Sequence, residues 1–146
     1  SLLATQERPE RIAGLVGIAS APDFTEDLMW NKFEQSIKNT LLEDGIYYEH
    51  TEYNDSPYII TLPLIKDGRN RLVLREKLMI HIPIRLLHGL SDADVPYQLS
   101  VRLAEHVEAE DVEVILIKDG DHRLSKEKEL KALMQQIDNL VARTKK

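Results

Sequence analysis

The chain contains no cysteine, which excludes a disulfide framework and any thiolate metal site and sets the expectation of a reducing compartment, the cytoplasm. Positive charge is in short supply. Nineteen Lys and Arg face 25 Asp and Glu, a net charge of −6, so a nucleic-acid partner, which selects a basic face, is not expected. No apolar run approaches the roughly 18 residues a membrane-crossing helix requires, so no membrane span is expected. Aromatic residues make up only 5%, yet Tyr47, Tyr48, Tyr53 and Tyr58 crowd one stretch. Ser1–Glu7 has neither an initiator methionine nor a signal-peptide pattern, and it reads as the last turns of a helix entered midway. No internal repeat or low-complexity tract interrupts the 146 residues.

What is present suits one globular domain, with 42% hydrophobic and 30% charged residues and enough length to bury about 70% of its unfolded surface. Arg8-Pro9 breaks the opening helix, because proline bars its predecessor from the helical region. Ile12–Ala19 is apolar without alternation, the pattern of a strand buried on both faces of a parallel sheet. Thr25 is a candidate N-cap for a helix carrying Leu28, Met29, Phe33, Ile37, Leu41 and Leu42, with Gly45 as its C-terminal stop. Residues 45–62 read as a loose β-hairpin around the turn signal Asn54-Asp55-Ser56-Pro57, and 62–74 as a short helix.

The stretch around which the chain is organised is Ile84–Pro96. A mostly apolar strand, 82–87, stops at His88-Gly89. A loop with two carboxylates, Asp92 and Asp94, follows, and Val95-Pro96 opens a helix running to about Val107. A third apolar strand, 112–117, leads into Asp119-Gly120-Asp121-His122, and a last amphipathic helix spans about 126–142. Strands alternating with helices predict an α/β fold with a parallel sheet, whose ligands lie at the carboxyl edge of the strands. Three strands make a thin sheet, and the first would show an unpaired edge.

His88-Gly89-Leu90-Ser91-Asp92-Ala93-Asp94-Val95-Pro96 resembles the H-G-x-x-D-x-x-V-P acid loop of α/β-hydrolases, and Gly120-Asp121-His122 resembles their catalytic-histidine loop. Arg8-Pro9-Glu10-Arg11-Ile12-Ala13-Gly14-Leu15-Val16 resembles their passage from the nucleophile helix into the next strand. Within the superfamily, segments 17–25, 65–69 and 120–125 resemble the branch of bacterial carboxylesterases and the mitochondrial acyl-glucuronide esterase and palmitoyl-protein thioesterase. The resemblance implies the carboxyl-terminal portion of an α/β-hydrolase fold: three parallel strands flanked by helices, with a lid inserted between the first and second strands. Residues 1–22 and 81–146 would be core and 23–80 the lid. It implies a serine hydrolase of carboxylic esters or thioesters, with Asp92 as triad acid and His122 as general base. Trp30, Phe33, Tyr47, Tyr48 and Tyr58 would line the substrate pocket, and no cofactor is implied.

The nucleophile elbow G-x-S-x-G is absent, since no serine has glycines at both flanking positions. The resemblance puts the nucleophile just before residue 1, so these residues alone are expected to be inert, completed by the N-terminal part of the same fold or by a chain pairing at the open edge. Without the elbow, a dehalogenase, epoxide hydrolase or peptidase of the same scaffold stays open, as does a non-catalytic interaction module. Asp94 competes with Asp92 but is expected to be solvated or to cap the helix near Pro96. His88 is expected to have a structural hydrogen-bonding role, and His50, His81 and His106 surface or packing ones. Asp119, Asp121 and His122 read as a polar loop rather than a metal site.

Overall fold

The computed structural model describes residues 1–50 and 56–144. They form two compact units, Ser1–Pro22 with Val73–Lys146 and Asp23–Leu72.

The first unit is built on a three-stranded, all-parallel sheet of β1 (Leu15–Ile18), β4 (Ile84–Gly89) and β5 (Val112–Ile117), in the order β1-β4-β5. Leu15 pairs with Ile84, and Ile84 in turn with Val112. Every residue of β4 is buried, so the strand sealed on both faces is β4. The expectation of full burial at 12–19 is corrected: β1 is a shorter edge strand, and Ile18 is exposed. Among the described residues β1 pairs with β4 alone, so its outer side lacks the neighbour that would seal it. A cluster of Leu74, Leu78, Ile80, Ile84, Leu86, Leu103 and Val107 forms the core. The unit boundary therefore falls at 72–73 rather than at 80, because Leu74, Leu78 and Ile80 pack with the sheet residues.

Among the described residues, the α-helices of this unit are α1 (Leu2–Glu7), α4 (Gln98–His106) and α5 (Glu127–Thr144). α4 buries Leu99, Ser100 and Leu103 at i, i+1 and i+4. α5 splits its apolar residues: Leu140 is buried, while Leu130, Met134, Ile137 and Val141 are exposed. A charge is buried as well. Arg85, in the sealed strand, is held by Asp111 at 2.9 Å and Glu113 at 3.1 Å, with Arg143 reaching the same Asp111 at 2.6 Å. The Arg85 hydrogen bond, ahead of the opposing effect of desolvation, draws the Asp111 carboxyl below its ordinary range.

The second unit pairs β2 (Ile46–Glu49) with β3 (Tyr58–Thr61) as an antiparallel hairpin beside α2 (Gln35–Glu43) and α3 (Leu62–Arg69). The hairpin expected at 45–62 is present, though Tyr53, Asn54 and Asp55 lie outside the described residues. The single helix expected from Thr25 is instead a π-helical turn, Thr25–Trp30, then a break, then α2. Asn31 N–H reaches back five residues to Glu26 O. The wider turn shifts the helical register, and Met29, Trp30 and Phe33 then join Ile37 around Leu41, Ile60 and Ile65. Thr25 is buried within that turn and caps nothing. Gly45, at φ +77°, stops α2 in the left-handed conformation glycine adopts freely. α3 ends at Arg69 rather than near 74, capped at its start by Thr61, whose hydroxyl accepts from Leu64 N–H.

Candidate active site

β4 and β5 run side by side and in the same direction, so the loops that follow them leave the same edge of the sheet. These two loops are sewn together backbone to backbone. Leu90 N–H donates to Ile117 O and Ser91 N–H to Gly120 O, both at 2.9 Å. The contact is close enough to require glycine: a Cβ on Gly89 would collide with the Gly120 carbonyl and approach Asp121 O. The sequence thus supplies a backbone seam, and each side of it carries one member of the Asp92–His122 pair.

On the β4 side, Asp92 folds back on its own loop. Its Oδ1 accepts from Asp94 N–H and Val95 N–H, both at 2.9 Å, a turn that a short carboxylate makes readily. Its Oδ2 faces across the seam and accepts from His122 Nδ1–H at 3.0 Å. The Asp92 side chain is 1% exposed and that of His122 43%. Burial pushes the Asp92 carboxyl up, but the Val95 amide, the His122 imidazole and the Asp94 amide outweigh it and hold the group below its ordinary range. A carboxylate so surrounded stays ionised at neutral pH and faces its imidazole as a fixed negative pole.

On the β5 side, Asp121 Oδ1 accepts from Arg123 N–H at 3.0 Å and Leu124 N–H at 3.1 Å. Desolvation raises the Asp121 carboxyl, but these two amides and Lys126 together prevail and lower it. Leu124 is buried and adopts φ 44°, an uncommon region for a γ-branched residue. That strained corner lies two residues from His122, and strain of this kind gathers at functional sites. The imidazole presents Nδ1 to Asp92. Its Nε2 has no hydrogen-bond partner among the described residues and is the nitrogen available for proton transfer.

The pair that the sequence singled out is thus brought within hydrogen-bonding distance. Asp94 is exposed and caps nothing; the amide-binding turn belongs to Asp92. Asp92, Asp94 and His122 also form a group whose ligand-type atoms lie within 4.8 Å of one another. Within this group, Oδ1 of Asp92 is taken by two amides and Oδ2 by the imidazole. Asp119 is a surface residue in ion-pair range of Lys128. His106 bonds the Arg102 carbonyl inside α4.

The five aromatic residues expected as pocket walls all belong to the second unit and divide in two groups. Trp30, Phe33 and Tyr47 pack into that unit's own core, with Phe33 edge-on to Tyr47 and the Arg69 guanidinium 4.5 Å from the Trp30 ring centre. Tyr48 and Tyr58 are exposed. His88 is the residue expected to have a structural hydrogen-bonding role. It is fully buried, bonded to Ser100 Oγ and Val95 O, and its Nε2 lies 3.2 Å from Asp92 Oδ2. Its place in the His-Gly motif directly before the acid loop was the available signal.

No family model matches the chain. The protein named palmitoyl-protein thioesterase ABHD10, mitochondrial, from Pongo abelii is 33% identical over 141 residues, covering 96% of this chain and 46% of the relative. A protein from Agrobacterium vitis S4 described as a hydrolase by assignment superposes with a TM-score of 0.89 at 36% identity, over 95% of this chain and 56% of that one. The mouse alpha/beta hydrolase domain-containing protein 10 gives 0.86 at 30% identity, over 97% and 57%. The chain spans about half the length of the curated relatives it matches. These relatives are named mitochondrial, which overturns the cytoplasmic expectation. The lack of cysteine speaks only to redox conditions, and more than one compartment is reducing.

Proposed function

Because the chain belongs to the α/β-hydrolase superfamily and corresponds to a carboxyl-terminal portion of that fold, we propose that it carries the acid and the base of a serine hydrolase acting on carboxylic esters or thioesters. The observation that carries the reading is the 3.0 Å hydrogen bond from His122 Nδ1–H to a buried, ionised Asp92 whose other oxygen is fixed by two amides. This geometry leaves His122 Nε2 as the base. It takes the proton of a serine hydroxyl as that oxygen attacks the acyl carbon, and Asp92 stabilises the imidazolium that forms. The imidazolium then protonates the leaving alcohol or thiol, and the acyl-enzyme is released by a water that His122 deprotonates in turn.

These residues hold no nucleophile elbow, and we assign the nucleophile to a part of the whole protein outside the 146 residues. The open side of β1 is where further strands of the same fold would pair. A thioester substrate is favoured by the palmitoyl-protein thioesterase name of the relatives. Of the five aromatic residues expected to meet the substrate, Trp30, Phe33 and Tyr47 fill the second unit's own core, and Tyr48 and Tyr58 are exposed.

The test is hydrolysis of matched acyl esters and acyl thioesters by the whole protein, with and without a serine-directed fluorophosphonate. Turnover of either bond, blocked by the reagent and lost in His122→Ala, is expected. Turnover that survives His122→Ala would sink the assignment.

A further inference from the structure

We propose that His88 is a positioning residue for the acid of this reaction, holding the 92–95 turn and the Asp92 carboxylate in the one orientation that His122 can use. The inference rests on the reading of Asp92 and His122 as acid and base. It starts from a buried polar group that this reading leaves unused. His88 sits at the end of β4, with a side chain 0% exposed, and both ring nitrogens are committed.

The Val95 carbonyl, 2.9 Å from Nε2, can only accept, so Nε2 carries a hydrogen. Nδ1 faces the buried Ser100 hydroxyl at 2.7 Å, which can donate to it. Ser100 on α4 therefore fixes the ring from behind, and the ring fixes the loop in front. Val95 is the hinge of the arrangement: its carbonyl is tied to His88 while its N–H is tied to Asp92 Oδ1. The same Nε2 lies 3.2 Å from Oδ2, the oxygen that takes the His122 proton. The carboxylate is thus held by two amides on one oxygen and flanked by an N–H dipole on the other. One direction remains open, and His122 occupies it. A carboxylate on an exposed loop would need some other restraint to stay so aimed, since rotation about its terminal torsion is soft.

The experiment uses the whole protein and two nearly isosteric variants. His88→Met removes the donor, and His88→Gln keeps an N–H at the Nε2 position. Two quantities are read: the downfield proton resonance of the His122–Asp92 hydrogen bond, and kcat with KM. His88→Met is expected to lose or shift the resonance and to lower kcat about 10- to 100-fold with KM within about twofold, the scale of a small misplacement of a reacting group. His88→Gln should retain the resonance and stay within about threefold of wild type. An unchanged resonance and kcat in His88→Met would overturn the proposal. So would equal losses in both variants, since ring packing alone would then explain them. Should either variant fail to fold, Ser100→Ala takes its place and is expected to broaden the resonance and lower kcat about threefold to tenfold; no change in either overturns the proposal. A protein that hydrolyses neither bond, yet whose His122–Asp92 resonance responds to His88 in this manner, would sink the hydrolase reading and leave the positioning role standing.

Discussion

Asp92→Asn against Asp94→Asn is the sharpest probe of the site, because the hydrogen-bond pattern dictates how the substituted amide must sit. Its oxygen has to keep facing the Asp94 and Val95 amides, since turning the NH2 toward them would set donor against donor. The NH2 then occupies the place of Oδ2, opposite His122 Nδ1 and 3.2 Å from His88 Nε2. His88 cannot shed its hydrogen without losing Val95 O. His122 can: it adopts the tautomer with hydrogen on Nε2 and ceases to be a base. On the precedent of serine-protease triads, the wrong tautomer costs about 10⁴ in kcat, or about 5 kcal/mol of transition-state stabilisation. Losing one charge-assisted hydrogen bond should also cost about 1.5–3 kcal/mol of stability. The pH dependence has a definite sign. A carboxyl whose folded-state pKa is lowered contributes fully above its unfolded value, so the stability gap between wild type and Asp92→Asn is present above about pH 4 and closes as pH falls below it. Asp94→Asn, at an exposed position, should stay within about 0.5 kcal/mol. Urea unfolding as a function of pH, together with thioester hydrolysis by the whole protein, reads both effects. A rate in Asp92→Asn within tenfold of wild type, or a larger loss in Asp94→Asn, would refute the reasoning.

Other expectations follow from the same contacts. Gly89→Ala drives a methyl into the Gly120 carbonyl, where only backbone could yield; it should cost at least about 1–3 kcal/mol and separate Asp92 from His122. An unchanged urea midpoint together with an intact His122–Asp92 resonance would show the seam to be softer than it looks. Asp111→Ala leaves the buried Arg85 guanidinium short of a partner and should cost about 2–4 kcal/mol. Arg85→Met, which removes the buried charge and leaves Asp111 paired with Arg143, should cost less, within about 1 kcal/mol. Thermal unfolding of the two variants side by side decides the order, and the reverse order would contradict it.

How much of this was legible in advance depended on whether the signal was local. β5 and the hairpin, the helices α4 and α5 within a residue or two, and the loops after β4 and β5 all follow from short-range patterns in apolar runs and turn residues. Asp92 and His122 could be picked out because both sit in short motifs after strands that resemble the acid and histidine loops of α/β-hydrolases. The break after Trp30 was not legible, because a π-helical turn is fixed by which side chains must reach Leu41 and Ile65. The unit boundary at 72 escaped for a similar reason, since Leu74, Leu78 and Ile80 join a core made largely of distant residues.

Local patterns along the chain were enough to show that apolar strands alternate with helices and that one strand ends in a carboxylate loop and the next in a histidine loop. Those features depend on neighbours a few positions away, where backbone sterics and hydrophobic period act directly. Nonlocal packing was needed to show that β4 is the sealed strand, that the Asp92 carboxylate reaches His122 across the seam, and that His88 stands behind them. Strand order and the approach of residues thirty positions apart arise from nonlocal pairing, which no local window of the chain encodes.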